Sequence, residues 1–390
     1  AGLGRAPTEP DPDRYDKPHV HCDVLIAGGG PAGLAAALAA GRAGARVILA
    51  DEQAEFGGSL LGSRERIDGR PATDWVTAAV AELRGMSEVR LLSRSTVFGY
   101  YDHNLLTIAE RITDHLIPSV SGGPRQRLWR VRAGRVVIAA GAIERALVFG
   151  NNDRPGVMQA SAVSTYLNRY AVAPGREAVV FTNNDSAYQC ALDLSDAGVD
   201  VAAVVDVRPQ VEGELPARVR AAGIAIHPGH AVVDVQGGQC VEGARLMALD
   251  GDGRGFASAQ PTGLRCDLIA MSGGWSPAVH LHSQSGAKAR FDEALAAFVP
   301  GTPTQAEVSV GAARGCFGLS DCLRDGFDAG VDAARARGLE SPSAVHVPVA
   351  EVIPEAPMMP MWRVPSWRGV KGPKQFVDFQ NDTSAADIAL

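Results

Sequence analysis

The sequence lacks paired cysteines, long apolar runs and clustered positive charge. Its six cysteines are scattered along 390 residues without C-x-x-C spacing. This argues against a disulfide framework, a zinc site, an iron–sulfur cluster and the redox-active cysteine pair of disulfide reductases. No apolar run is long enough to span a membrane, and no signal peptide is visible. The net charge is −7 and no basic stripe is present, which argues against nucleic-acid binding. We therefore expect a cytoplasmic protein with reduced thiols, no metal site and no membrane or nucleic-acid partner.

A glycine-rich turn near the N-terminus is the most informative motif present. The apolar stretch Val24–Ala27 predicts a buried strand, and Gly28-x-Gly30-x-x-Gly33 then opens a helix. Gly28 permits the tight turn, Gly30 lets a pyrophosphate approach the backbone, and Gly33 lets the helix lie close to the strand. Phosphates bind well at such a helix N-terminus, because its N–H groups are unpaired and its dipole favours anions. The motif predicts a dinucleotide site.

The residues after this helix narrow the choice of dinucleotide. The helix is expected to end at Gly44, and a second strand then delivers Asp51, followed by Glu52. A carboxylate here accepts hydrogen bonds from the adenosine ribose and repels a 2′-phosphate, which disfavours NADP. Gly57-Gly58 occupies a place where flavoproteins often carry a glycine pair. The fingerprint by itself leaves both NAD and FAD open.

A second βαβ unit follows at residues 178–206, but its glycines are replaced. The three fingerprint positions fall on Thr182, Asn184 and Ala187, and Cβ atoms at the first two would crowd a pyrophosphate. We expect this unit to bind no dinucleotide. Its nearest acids, Asp185 and Asp206, are expected to be turn and solvent-facing residues.

The chain is then predicted to return to the first unit. A strand beginning at Cys266 and another at Ala306–Val310 are predicted, and a closing helix is predicted at Asp321–Arg337. Flavoproteins built from two such dinucleotide-binding units place a Gly-Asp pair after the later strand, where the Asp binds the flavin. Gly311-Ala312 stands there instead, which favours NAD over FAD.

These elements together predict an α/β, glutathione-reductase-like fold with two dinucleotide-binding units, the second inserted in the first. The expected domains are a linker (1–20), a discontinuous dinucleotide-binding domain (21–150 and 266–340), an inserted degenerate lobe (151–265) and an irregular, proline-rich tail (341–390).

Four stretches resemble the α subunits of heterotetrameric sarcosine oxidases. They are HCDVLIAGGGPAGLAAALAAGRAGARVILADEQ (21–53), VVIAAGAIERALVFGNNDRPGVM (136–158), DLIAMSGGWSPAVHLHSQSGAK (267–288) and KQFVDFQND (374–382). The larger subunits of octopine and nopaline oxidases and of hydrogen cyanide synthase are related to that family. Its α subunits begin with a ferredoxin-like domain and end with a folate-binding domain. We therefore expect this chain to be an excised central part.

The resemblance implies a shared activity, the oxidative demethylation of sarcosine to glycine, hydrogen peroxide and 5,10-methylenetetrahydrofolate. It implies that FAD and the amine substrate lie in the β subunit, that FMN lies at the α/β interface, and that the α subunit holds a non-catalytic NAD. The partners are then a β subunit together with smaller subunits. The isolated chain is expected to be inactive, without catalytic residues, and its sequence does not reveal the amine substrate.

The resemblance also places cofactor contacts. Family contacts carry over onto Ala32, Asp51 and Glu52, and by motif context onto Thr96, Val97 and the segment 311–318, with Gly311, Gly315 and Gly318. The glycines of the first fingerprint and the Gly57-Gly58 pair complete the predicted cofactor site.

Two rival interpretations stay open at this point. A self-contained FAD-dependent NAD(P)H oxidoreductase would carry FAD in the first site, but it needs a working second site, which Thr182 and Asn184 oppose. A component of an opine oxidase or hydrogen cyanide synthase would share the fold and serve another amine.

The histidine pair His280-x-His282 could suggest a metal site. We interpret it as two histidines on one face of a strand, because no third ligand for a metal is evident.

Overall fold

The computed structural model describes residues 4, 6, 8–11, 13–116, 123–340, 346–369 and 372–389. Its strands are β1 (Tyr15–Asp16), β2 (His19–Ala27), β3 (Val47–Ala50), β4 (Arg66–Ile67), β5 (Arg70–Pro71), β6 (Val89–Leu92), β7 (Ser95–Tyr101), β8 (Leu105–Arg111), β9 (Gln126–Ile138), β10 (Ala142–Glu144), β11 (Val157–Gln159), β12 (Glu177–Thr182), β13 (Asp200–Asp206), β14 (Ile226–Pro228), β15 (His230–Gln236), β16 (Gly243–Ala248), β17 (Thr262–Arg265), β18 (Leu268–Ser272), β19 (Trp275–Pro277), β20 (Ala289–Asp292), β21 (Ala297–Pro300), β22 (Glu307–Ser309), β23 (Phe376–Asp378) and β24 (Thr383–Ser384).

The α-helices are α1 (Pro31–Arg42), α2 (Ala72–Gly85), α3 (Ala160–Tyr170), α4 (Ser186–Asp196), α5 (Glu214–Ala221), α6 (His280–Gln284), α7 (Leu319–Arg335) and α8 (Ala385–Ile388). Among the described residues, 3₁₀ helices lie at Gly58–Gly62 and Gly311–Arg314.

The first lobe is built on an eight-stranded sheet whose central part is parallel. The long strand β9 pairs in parallel with β2 on one side and with β22 on the other, and β3 and β6 extend the sheet beyond β2. The antiparallel strands β7 and β8 continue from the first half of β9. All of β3 and the last four residues of β2 are buried, as expected for strands covered on both faces. The first predicted βαβ unit is therefore present.

The second lobe repeats this plan with a five-stranded parallel sheet in the order β11-β18-β12-β13-β14 and a separate antiparallel sheet, β15-β16-β17. The strand that begins at Cys266 is expected in the first lobe, and this expectation is wrong. That strand is β18, which pairs with β11 and β12. All five of its residues are buried, so it needs a place inside a sheet, and the second sheet provides it. The chain returns towards the first lobe through β19, which pairs with β10.

Close contact between α1 and α7 fixes the position of the fingerprint helix. Gly326 and Gly330 of α7 face the backbone of α1: a Cβ atom on Gly326 would lie 2.0 Å from the carbonyl oxygen of Ala32, and one on Gly330 would lie 2.3 Å from that of Ala36. The two helices can approach this closely only because both positions are glycine. The packing holds the N-terminus of α1 at the edge of the first sheet.

Replacing Gly326 by alanine is expected to destabilise the fold by about 1–3 kcal/mol, because the new methyl group must push α7 away from α1. The matched control is Gly85→Ala, since a Cβ atom on this helical glycine meets nothing within 4 Å. Alanine at position 85 should stabilise the protein by up to about 1 kcal/mol, because it lowers the conformational entropy of the unfolded chain. Denaturant titration of both variants measures the difference, and equal stabilities would contradict this account of the helix contact.

The C-terminal tail runs along both lobes. At the first lobe, the amide of Val349 donates to the Asp68 carboxylate at 3.0 Å. At the second lobe, the amide of Val148 donates to the carbonyl of Trp362 at 2.7 Å, and Val364 donates back to Val148 at 2.9 Å. Trp362 and Trp367 pack against the second lobe's core. The tail therefore links the two lobes, and its tryptophans serve core packing.

Candidate nucleotide-binding cleft

A cleft of about 680 Å³ follows the carboxyl ends of β2 and β3 and reaches the second lobe. We call the part lined by Asp51, Glu52, Thr96 and Val97 the near half. The part that adjoins the second lobe is the far half, which is lined by Glu65, Ser186, Trp275, Phe317 and Glu355. Ligands of open α/β sheets bind at this edge, outside the carboxyl ends of the strands.

Gly28 and Gly30 of the fingerprint turn line the cleft, and the fingerprint glycines have different roles. A Cβ atom on Gly28 would lie 2.2 Å from the carbonyl oxygen of Ala139, and one on Gly33 would lie 1.9 Å from that of Gly28. These two glycines permit close packing of strand and helix. A Cβ atom on Gly30 would meet only the Cα of Gly58, at 3.9 Å, so this position opens into the cleft. Gly30 is therefore where a side chain would fill the space that a ligand needs.

The helix N-terminus offers an environment suited to anions. Gly30 is the N-cap residue, Pro31 opens α1, and the first turn of α1 contains no acidic residue. Its unpaired N–H groups and the helix dipole favour a negatively charged group. Among the residues that the structure describes, no lysine or arginine side chain lines the cleft. A diphosphate bound here would therefore rely on main-chain N–H groups.

Asp51 is held rigidly at the end of β3. Its carboxylate accepts the amide of Gly29 at 2.6 Å through one oxygen and the amide of Gln53 at 2.8 Å through the other. Each oxygen has a further lone pair that remains available. The carboxylate is therefore oriented beside the glycine turn, as a ribose-binding acid must be. Its neighbour Glu52 is exposed and lines the same half of the cleft.

The glycine pair Gly57-Gly58 lies directly against the fingerprint turn. Both residues have positive φ, +131° and +55°, which only glycine adopts readily. The amide of Gly57 donates to the carbonyl of Gly29 at 2.8 Å. Gly58 lines the cleft, whereas Gly57 does not and stabilises the turn through this hydrogen bond.

The structure brings some of the other predicted residues together and separates the rest. Ala32, Thr96 and Val97 line the cleft, but Gly311, Gly315 and Gly318 do not. A Cβ atom on Gly311 would lie 2.8 Å from the Cβ of Ala32, so Gly311 contributes close packing. Ala312 does line the cleft, and thus no carboxylate stands at the position where flavoproteins of this architecture carry one.

The far half of the cleft is not predicted from the sequence. Its walls come from a loop of the first lobe (Glu65), the first turn of α4 (Ser186), the start of β19 (Trp275) and the tail (Glu355). The indole N–H of Trp275 donates to the Ser186 hydroxyl at 3.1 Å, which joins two of these walls. No local motif marks these residues, because they meet only when the two lobes and the tail assemble.

The acids of the second βαβ unit are buried, so the expectation that they face solvent is wrong. Asp185 is 2% exposed and Asp206 is 0% exposed. The guanidinium of Arg208 donates to both carboxylates at 2.7 Å, and the Tyr188 hydroxyl donates to Asp206 at 2.9 Å. Burial raises the pKa of Asp206, although the guanidinium opposes this shift. Arg208 is buried beside both carboxylates and neutralises their charge, which water would otherwise have to stabilise.

The tail covers the turn where a second nucleotide would bind. The amide of Ala356 donates to Asp185 at 2.6 Å, beside the N-terminus of α4. The Asn183 side chain donates to the carbonyls of Met359 and Met361 at 3.0 and 3.2 Å, and the amide of Met359 donates to the Asn183 carbonyl at 3.0 Å. Polar groups of Asn183 and Asp185 in this turn are therefore already hydrogen-bonded to the tail.

The histidine pair lies on the short helix α6, so its expected place on a strand is wrong. His282 is buried and hydrogen-bonded to Glu307 at 2.7 Å, whereas His280 is exposed and lines the cleft. Within the described parts of the chain, no group of three or more potential metal ligands is found. Nor does any helix of the described residues have the length and apolar character needed to cross a membrane.

The fold and the fingerprint cleft define a class of protein. A family model described as pyridine nucleotide-disulphide oxidoreductase matches residues 22–296. The chain belongs to this family, and the predicted two-dinucleotide-binding fold is confirmed.

More specific relatives share the whole length of the chain. It is 43% identical over 391 residues to the alpha subunit of sarcosine oxidase from Rhizobium meliloti (strain 1021), covering 100% of this chain and 38% of that protein. It is also 43% identical to the corresponding protein of Corynebacterium sp. (strain P-1), covering 99% and 40%. One subunit of the opine oxidase from Rhizobium meliloti is 28% identical, covering 74% and 56%. The chain thus spans about two fifths of its more similar curated relatives.

Solved structures agree on the fold. The L-proline dehydrogenase of P. horikoshii superposes with a TM-score of 0.63 at 21% identity, covering 86% of this chain and 59% of that one. The thioredoxin reductase of T. acidophilum superposes with a TM-score of 0.61 at 16% identity, covering 82% and 99%.

Proposed function

We propose that the chain is the NAD-binding central part of a sarcosine oxidase α subunit. The observation that carries the proposal is the intact first cleft, with Asp51 oriented at its near half, beside a second βαβ unit whose turn is covered by the tail. Identity of 43% over the whole chain supports the sarcosine oxidase assignment over the opine oxidase one, for which identity is 28%.

The residues fit NAD better than FAD. Asp51 and Glu52 place two acids at the ribose position and disfavour a 2′-phosphate. Ala312 offers no carboxylate for a flavin, and the nearby Asp325 is already bound to the amide of Gly311 at 2.7 Å and to Arg314 at 2.9 Å. Gly28, Gly30 and Gly58 would admit the diphosphate, and Thr96 and Val97 would contact the adenosine.

In this proposal the bound NAD stabilises the folded chain and takes no part in hydride transfer. The second unit is proposed to hold no dinucleotide, because the tail is hydrogen-bonded to its turn and Asp185 is already bound to Arg208 and Ala356. The proposed domains are those of the sequence analysis, except that β18 belongs to the inserted lobe. Residues of this chain bind and orient the nucleotide, and none acts as a catalytic residue.

The chemistry is proposed to reside in partner subunits. A β subunit would carry FAD and the amine site, FMN would lie at the interface with this chain, and smaller subunits would complete a heterotetramer in the cytoplasm. The complex would convert sarcosine to glycine, hydrogen peroxide and 5,10-methylenetetrahydrofolate.

Replacing Asp51 by alanine tests the ribose contact. NAD affinity should fall by about 1–3 kcal/mol through loss of a charge-assisted hydrogen bond, and the preference for NAD over NADP should narrow. Asp328→Ala is the matched control, because its side chain is exposed on α7 and does not line the cleft. Calorimetric titration with both nucleotides measures the effect. An unchanged NAD affinity in Asp51→Ala would assign the ribose contact to another residue.

A further inference from the structure

The far half of the cleft has an unusual charge for a site that follows a diphosphate. Glu65 and Glu355 both line it, and no lysine or arginine side chain of the described residues lines any part of the cleft. Both residues are exposed to solvent. Their surroundings raise the pKa of each, for Glu65 by burial and for Glu355 by burial and the charge of Asp185. A raised pKa opposes ionisation, so the far half is negative where both carboxyls are ionised, and no lysine or arginine of the described residues lies on its walls to offset that charge.

Neighbouring contacts place both acids on the side of the cleft that faces the second lobe. The loop carrying Glu65 is fixed to α3, because the Asn168 amide donates to the carbonyl of Gly62 at 3.0 Å and Arg64 donates to Asn168 at 2.9 Å. Glu355 is fixed from the other side, since the amide of the next residue, Ala356, is bound to Asp185. The acids thus lie on two separate segments that both line the cleft.

Aromatic side chains complete these walls. Trp275 and Phe317 line the far half, and the hydrogen bond from Trp275 to Ser186 fixes the indole. Aromatic surfaces and carboxylates together recognise flat or quaternary cations, because the ring faces and the carboxylates both attract positive charge. Gly30, where the diphosphate is proposed to bind, lines the same cleft.

We propose that the far half selects the oxidised form of the nucleotide, NAD⁺, over NADH, through Glu65 and Glu355. This inference rests on the proposed function, in which the near half holds the adenosine. The nicotinamide ring carries a positive charge only when it is oxidised, so the two carboxylates stabilise NAD⁺ and give no such stabilisation to NADH. Preference for the oxidised form makes the bound nucleotide a poor electron acceptor, which suits a stabilising role.

The test compares three ligands on the 390-residue chain after removal of co-purified nucleotide: NAD⁺, NADH and ADP-ribose, which lacks the nicotinamide ring. NAD⁺ is expected to bind about tenfold or more tightly than NADH, because a carboxylate attracts the positive ring and this attraction is less screened in a partly buried site than in water. In Glu65→Gln/Glu355→Gln, NAD⁺ affinity should fall by about tenfold while NADH and ADP-ribose affinities change by less than about twofold. Each single variant should lose part of the preference.

The control variant is Glu242→Gln, which removes one negative charge from an exposed position in the second lobe and should leave the ratio of NAD⁺ to NADH affinities unchanged. Equal binding of NAD⁺ and NADH by the unmodified chain, with ADP-ribose still bound, would overturn this inference and leave the proposed site intact. A double variant that weakens all three ligands equally would overturn it as well. Failure of all three ligands to bind would overturn the proposed function together with this inference.

Discussion

Replacing Gly30 by valine is expected to abolish nucleotide binding and leave the fold unchanged. Gly30 has extended backbone angles, φ −75° and ψ −169°, which a β-branched residue adopts readily. A Cβ atom there lies no closer than 3.9 Å to any neighbour. The valine side chain would therefore project into the space where a diphosphate must approach the N-terminus of α1.

The expected loss is at least about a hundredfold in affinity, and the stabilisation by ligand should vanish. A ligand at a hundredfold excess over Kd stabilises the folded state by about 2.7 kcal/mol, and the variant should show none of this. Thermal melts with and without NAD measure both effects. Gly238→Val, at an exposed loop position with nothing within 4 Å, is the control and should keep the full shift. An undiminished NAD-dependent shift in Gly30→Val would place the nucleotide elsewhere.

Removing Arg208 should cause the largest loss of stability among these variants. Its side chain is 6% exposed and pairs with Asp185 and Asp206, whose side chains are 2% and 0% exposed. Arg208→Ala leaves two buried carboxylates without a counter-charge, and loss of one partner of a buried pair costs about 3–5 kcal/mol. The variant should also loosen the tail, because Asp185 binds the amide of Ala356.

Arg218→Ala provides the comparison for this buried network. Arg218 also pairs with two carboxylates, those of Glu214 and Glu351, but its side chain is 39% exposed, so its loss should cost no more than about 1 kcal/mol. Denaturant unfolding of both variants gives the two free energies. Similar values for Arg208→Ala and Arg218→Ala would contradict the assignment of Arg208 as the counter-charge of a closed second site.

The first cleft could be predicted from sequence because its parts are local. Strand, turn, helix and acid all lie between Val24 and Asp51, and the roles of Gly28, Gly30 and Gly33 follow from a short segment of backbone. The second βαβ unit was predictable for the same reason. The replacement of its glycines by Thr182 and Asn184 also indicated that its turn differs from the first.

The remaining features depend on contacts between residues that are distant in sequence. Asn183 binds Met359 and Met361, which lie 176 and 178 residues further along the chain, and no pattern near either partner announces this contact. From the sequence, an acid at a strand end such as Asp206 is expected to be exposed. In the structure, its counter-charge Arg208 lies two residues later and is buried beside it. The strand β18 is apolar enough for either sheet, so only its pairing with β11 and β12 decides where it belongs.

The identity of the nucleotide carried by the purified chain tests the central claim most directly. Nucleotide released by acid is identified by its mass and quantified against protein, and the visible spectrum of the protein is recorded beforehand. We expect about one NAD per chain and a colourless protein, because the fingerprint is intact, Asp51 follows it and position 312 is an alanine with no carboxylate. A yellow protein that releases stoichiometric FAD would contradict it, and would favour a self-contained flavin-dependent oxidoreductase.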